Sequence, residues 1–163
     1  MSFMDLLVDF ARTGRIGPLH CGMSLAEAED LLGPGRPHPA IVMKGPDING
    51  YPYGWSDLDL SVTRRTVSRV RVQLWPGSTA KLPPLVLPDS ESFEATVLRE
   101  DMIAALDAAG CAHEVDERLT FGTQSGILTR PAGVGMIFCL PASNTDVADH
   151  ERYYLHSIHK DAS

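Results

Sequence analysis

Apolar and polar residues alternate most cleanly between Trp55 and Trp75, WSDLDLSVTRRTVSRVRVQLW. Leu58, Leu60 and Val62 alternate with Asp57, Asp59 and Ser61, and Val70, Val72 and Leu74 with Arg69, Arg71 and Gln73. That period of two predicts a β-hairpin with one apolar and one charged face. If Val62 faces Ser68, Leu60 pairs with Val70, Leu58 with Val72 and Asp59 with Arg71, leaving Arg64, Arg65 and Thr66 as a three-residue turn. A slip of one residue would bury Asp59 and Arg71, so burial selects this register.

A period near 3.6 marks the helices. Phe3, Leu6, Leu7 and Phe10 fall on one stripe, with Gly14 placed to end the helix. Ser24 and Glu27 form a capping box, so a second helix starts at Leu25, with Leu25, Ala28, Leu31 and Leu32 as its stripe and Gly33-Pro34-Gly35 as its stop. A third runs through LREDMIAALDAAG on Leu98, Met102, Ala105, Leu106 and Ala109, ending at Gly110.

The remaining segments are shorter. Ala40 to Met43 reads as a first strand, and Lys44 to Gly54 as a glycine- and proline-rich loop. Four prolines in Pro76 to Ser92 forbid a central strand but allow an edge strand or an extended strap at Leu85 to Leu87. Arg118 to Phe121 and Gly126 to Thr129 read as strands, and Pro131-Ala132-Gly133 as a turn. Val134 to Leu140 is apolar on both faces, the mark of a covered central strand or a strand at a subunit contact. Tyr153 to Ile158 makes a closing strand, and Lys160 to Ser163 reads as frayed.

Runs of helices followed by runs of strands predict an α+β fold, an antiparallel sheet with helices packed on one face. The order also suggests two helix-plus-strands units, 1–75 and 93–163, joined by the strap 76–92 within a single domain, 1–163. At 163 residues the chain is long enough for one core and short for two.

The net charge of -7 would repel nucleic acid and anionic lipid, so neither is an expected partner; it would attract a basic protein, and acidity of this size equally serves solubility alone. No apolar run reaches the roughly 20 residues of a membrane helix. The N-terminus carries Asp5 and Asp9 inside its apolar stretch and does not read as a signal peptide, and Cys21, Cys111 and Cys139 do not form a disulfide framework. A cytoplasmic location is expected.

Candidate chemistry is sparse. Cys111-Ala112-His113 lacks the second short-spaced pair of a zinc site, and His20-Cys21 are adjacent in sequence, which says little about a thiol–imidazole pair. His150, His156 and His159 read as a solvated C-terminal tail. No phosphate loop or hydrolase motif is present, so no catalytic residue, cofactor or metal is assigned, and a non-enzymatic role is expected. What remains is surface. Tyr51, Tyr53 and Trp55 enter the hairpin either as interface anchors or folded back over the core edge, and Asp57, Asp59, Arg69 and Arg71 line its polar face. These seven residues are the candidate protein-binding set.

Gly22-Met23-Ser24, Ala28 and Leu32-Gly33 followed by strands resemble the helical opening of the small outer-membrane assembly lipoprotein and β-lactamase-inhibitor-like fold, over about residues 14–75. That resemblance implies helix-plus-sheet units presenting a curved sheet to a protein partner. YGWSDLDLSV and LTFGTQSGILTR are similar in character to small acidic bacterial toxin-immunity proteins. This second likeness implies an inhibitor that occludes a basic toxin domain. The alternative is a small-ligand binder or enzyme with a pocket between helices and sheet, using His20, Cys21 or Cys111. A homo-oligomer joined through Val134 to Leu140 is compatible with either.

Overall fold

A computed structural model describes residues 1–37, 39–45, 50–88 and 93–163, with the side chains of all but 37, 40–42 and 51. The hairpin is there, and it is the middle of one half of a larger sheet. Strands β1 (Arg36–Pro37), β2 (Tyr51–Trp55), β3 (Leu58–Thr63) and β4 (Thr66–Gln73) form that half. The small pair β5 (Thr79–Ala80) and β6 (Phe93–Glu94) follows, and β7 (Ala112–Val115), β8 (Gln124–Arg130), β9 (Val134–Cys139) and β10 (Tyr154–Asp161) form the other half. The eight large-sheet strands run antiparallel in the order β1-β2-β3-β4-β10-β9-β8-β7. The fold is therefore α+β with a continuous antiparallel sheet.

Four helices complete it among the described residues: α1 (Phe3–Thr13), α2 (Leu25–Leu32), α3 (Pro39–Lys44) and α4 (Arg99–Ala108). Two start on capping boxes, Ser2 with Asp5 for α1 and Ser24 with Glu27 for α2, each side chain accepting from the backbone N–H three residues on. Gly14 ends α1 in the left-handed conformation that a residue with a side chain resists. Leu6, Leu7 and Phe10 of α1 and Met102 and Leu106 of α4 are buried. Although α1 opens the chain, it lies over the second half of the sheet, touching α4, β8 and β9. The Thr129 hydroxyl donates to the Ala11 carbonyl there at 2.7 Å.

One row of directly paired residues shows where the core sits. Trp55, Leu58, Val72, Ile158, Met136 and Ile127 follow one another across β2, β3, β4, β10, β9 and β8 on the helix-covered face. All are buried, and at about 1.5–3 kcal/mol per buried side chain this row is a large part of what holds the halves together.

The fold departs from the sequence pattern at several places. The run at Ala40 to Met43 is part of helix α3, not a strand; Pro39 suits a first helical turn, and so short an apolar run carries no period to separate the two. Leu31 points to solvent rather than joining the α2 stripe. Arg118 to Phe121 is no strand: Glu117–Leu119 form a 3-10 turn capped by the Asp116 carboxylate, and Phe121 is exposed. Ala112–Val115, read as no element, is the edge strand β7. The C-terminal strand runs through Asp161 and lies between β4 and β9, so Lys160 is not frayed.

The hairpin register holds from Leu58–Val72 through Ser61–Arg69 and then shifts, pairing Val62 with Val67 and Thr63 with Thr66. The turn is thus two residues, Arg64 and Arg65, both left-handed, and Ser68 is the extra residue of a bulge. The bulge turns Val67 into the core beside Val62. Burying that valine outweighs placing two non-glycine residues at positive φ, at about 1–2 kcal/mol each, once the turn's match to the strand twist is added. The strap packs Leu82, Val86 and Leu87 into the core, while residues 89–92, part of the stretch read as strap, lie outside the described residues. Central strand β9 buries Val134, Met136 and Phe138 on the helix side and leaves Ile137 and Cys139 half-buried on the other.

Candidate functional site

The face of the sheet away from the helices carries its own row of paired residues. Arg36, Gly54, Asp59, Arg71, His159, Gly135, Leu128 and Glu114 follow one another across all eight strands. Asp59 and Arg71, predicted to face each other, form a bidentate pair, with Nη2 donating to Oδ2 at 2.8 Å and Nε to Oδ1 at 3.1 Å. Arg69, one step along β4, donates two hydrogen bonds to Asp161 of β10. Farther across, Arg130 pairs with Glu114 at 2.8 Å, and Arg118 with Asp116 at 3.1 Å. Four guanidiniums therefore meet four carboxylates, and these pairs are neutral as a set. The net charge of -7 is carried by the rest of the molecule.

The seven candidate residues are only partly brought together. Asp59, Arg69 and Arg71 share the uncovered face as expected. Asp57 does not join them: it lies in the turn between β2 and β3, where its carboxylate accepts from the Lys81 N–H at 2.7 Å and ties the strap to the sheet. Tyr53 and Trp55 belong to strand β2, not to a loop, and both are buried. The Tyr53 hydroxyl accepts from the Gly35 N–H, and the Trp55 indole donates to the Gly33 carbonyl at 2.9 Å. Their rings close the core edge, because a strand pairing that buries Leu58 and Leu60 turns Trp55 and Tyr53 to the same side. The backbone of Tyr51 pairs with Val62, and its side chain lies outside the described residues.

His159 is no part of a solvated tail but a half-buried residue in the middle of the face. Its ring lies over Gly135, where a Cβ would stand 2.6 Å from Nε2. Burial pushes the imidazole below its usual value; Arg69 and Arg71 add to this, while Asp161 and Asp116 oppose it. The ring takes no hydrogen bond among the described residues. Beside it the 3-10 turn makes a shelf over Gly126, where a Cβ would run into that of Leu119 and lie 3.1 Å from the Asp116 carbonyl. Between shelf and β4 is a depression of about 400 Å³, with Arg69, Asp161, His159, Leu128, Leu119 and Arg118 on its walls and floor. The Arg118 guanidinium holds the Asp116 carboxyl below the usual carboxylate range. Partial burial would raise Asp161, but Arg69, with His159 and Lys160 nearby, holds it low. The signal for this site was in the chain as glycines on an otherwise bulky strand pair, Gly126 and Gly135, which mark close approach of another group.

Of the thiols, Cys21 lies within the field of the Arg69–Asp161 pair, while Cys111 packs past the end of α4. Cys21 donates to the Lys160 carbonyl at 3.2 Å, the neighbouring His20 ring bonds the Cys21 carbonyl, and burial pushes the Cys21 thiol up. Cys111 is buried past the end of α4, with burial raising its thiol as well, and the His113 imidazole pairs with Asp107 at 2.9 Å. Among the described residues no group of three or more His, Cys, Asp or Glu side chains is placed to hold a metal. Among the described residues no helix is long and apolar enough to cross a membrane. Comparison with known protein families, curated proteins and solved structures finds no match for this chain.

Proposed function

We propose that this chain is a non-enzymatic protein-binding module of the immunity type, which docks a partner on its uncovered sheet face and so blocks the partner's working surface. The observation that carries this is the set of charged residues on the uncovered face, held in place by the cross-strand ion pairs Asp59–Arg71, Arg69–Asp161 and Glu114–Arg130 before any partner arrives. Arginines and aspartates fixed in this way lose less rotamer freedom on binding, which lowers the cost of association. The excess negative charge elsewhere would steer a basic partner, such as a toxin domain, toward the molecule and weaken in high salt. Residence in the cytoplasm suits three unpaired thiols.

Reversing the Asp59–Arg71 pair tests this reading. The double variant Asp59→Arg with Arg71→Asp keeps an opposite-charge cross-strand pair, so folding is preserved while the face's charge order is inverted. A partner cross-linked and identified in the native host should bind it at least about tenfold more weakly than the wild type. In a growth assay with that partner expressed, the wild type should protect and the double variant should not. Equal binding and equal protection would overturn the assignment of this face.

A further inference from the structure

We propose that the depression beside His159 is an anchor for one carboxylate, the side chain of an Asp or Glu on the protein that docks here; the inference rests on the docking reading above. Its hydrogen-bonding capacity is biased toward donors. Arg118 uses Nε and Nη2 on Asp116, and Arg69 uses Nε and Nη2 on Asp161, so each guanidinium keeps Nη1 free. Asp116 is covered, its side chain 6% exposed, whereas Arg118 is 81% exposed. Asp116 lines the depression as well, but with its carboxylate covered and tied to Arg118 an incoming group meets mainly the guanidinium on that wall. His159 adds a ring N–H with no internal partner among the described residues. Of these three donor groups on a pocket of about 400 Å³, Arg118 and His159 match the two oxygens of a carboxylate.

The opposite wall sets the orientation. Asp161 is about half exposed and, although paired with Arg69, repels an anion, so the carboxylate sits toward Arg118 and His159. Leu128 and Leu119 give its methylene stem an apolar surface. Gly135 and Gly126 keep the depression open, since a side chain at either would displace the His159 ring or the shelf. His159 faces Arg71 across the β4–β10 pair, with Arg69, Asp161 and Asp116 as the other charges that act on it. A bound carboxylate joins the two aspartates in favouring the imidazolium, so binding and protonation of His159 are coupled.

The test follows the His159 ring by NMR, titrating pH in acetate and in chloride at equal ionic strength. Acetate should raise the His159 midpoint by about half a unit or more relative to chloride, and leave that of His156, outside the depression, where it is. Arg118→Ala should remove the acetate effect and weaken the identified partner at least about tenfold, while Arg118→Lys keeps part of both. An identical midpoint in acetate and chloride, or an acetate effect that survives Arg118→Ala, would overturn the site. If acetate acts but Arg118→Ala leaves partner affinity unchanged, the depression serves a free carboxylate and the anchor is overturned. If the Asp59–Arg71 reversal weakens the partner and Arg118→Ala does not, the docking reading stands alone; if neither does, both fall.

Discussion

The two faces of one sheet are built on different physics. On the helix side, Leu58, Val72, Ile158 and Met136 meet in a row with no polar group among them, and their position is set by removal from water. On the other side, the residues one step along the same strands, Asp59, Arg71, His159 and Gly135, meet in a row ordered by ion pairs and by one glycine that makes room for a ring. The first row resists change and tolerates no alternative register. The second contributes little to stability and is free to be shaped by what it touches.

The comparison predicts a steep ordering of mutational effects. Phe138→Ala, on the covered face, should cost about 3–5 kcal/mol in urea unfolding, and Leu58→Ala about 2–5. A cost below about 1 kcal/mol at both would mean that the helices do not seal this side. Gly126→Ala comes next, at about 1–3 kcal/mol, because the added methyl collides with Leu119 and backbone of the shelf rather than with a movable side-chain end. Its nuclear Overhauser contacts between Leu119 and β8 should be lost, and unchanged contacts would place the shelf elsewhere. Arg71→Ala should cost no more than about 1 kcal/mol, since its pair with Asp59 stays open to solvent, with the Arg71 side chain 34% exposed. The sign reverses at the hairpin tip: Arg64→Asn with Arg65→Gly, a pair suited to left-handed turns, should stabilise by about 0.5–1 kcal/mol.

Acid should act in two stages. Burial lowers His156 and His159, so the unfolded chain takes up their protons first and stability falls as pH drops below about 6.5, the unfolded value, toward their folded values. Asp5, held low by hydrogen bonds from Ser2, together with Asp116 and Asp161, contributes stability present above about pH 4 and lost as pH falls through their lowered folded values. Melting temperatures from pH 8 to 5 should drop less in His159→Gln than in the wild type. Parallel curves would mean the ring is solvated.

Much of the covered face was legible in the chain, because burial punishes a slipped register and capping boxes mark helix starts with side chains three residues apart. Leu58–Val72, Asp59–Arg71 and the onset of α2 at Leu25 all follow from such local rules. The uncovered face was legible only where it lies on one hairpin. Arg69 pairs with Asp161 and Arg71 lies opposite His159, and both neighbours come from β10, whose place in the middle of the sheet no local pattern announces. For the same reason α1, with a clear amphipathic stripe, gave no sign that it covers β8 and β9. Tyr53 and Trp55 were hidden by the glycines and prolines around them, which mask a strand whose rings are tied down by Gly33 and Gly35.

The division between a sealing face and a docking face is tested most directly by placing a photo-activated cross-linker at Ser61, beside Arg69 on the uncovered side, and in a second protein at Leu31, exposed on α2. Illuminated in the native host, the Ser61 protein should give one defined adduct, identified by mass spectrometry as a protein whose activity this chain inhibits, and the Leu31 protein should give none. An adduct with that protein from Leu31 and none from Ser61 would contradict the account.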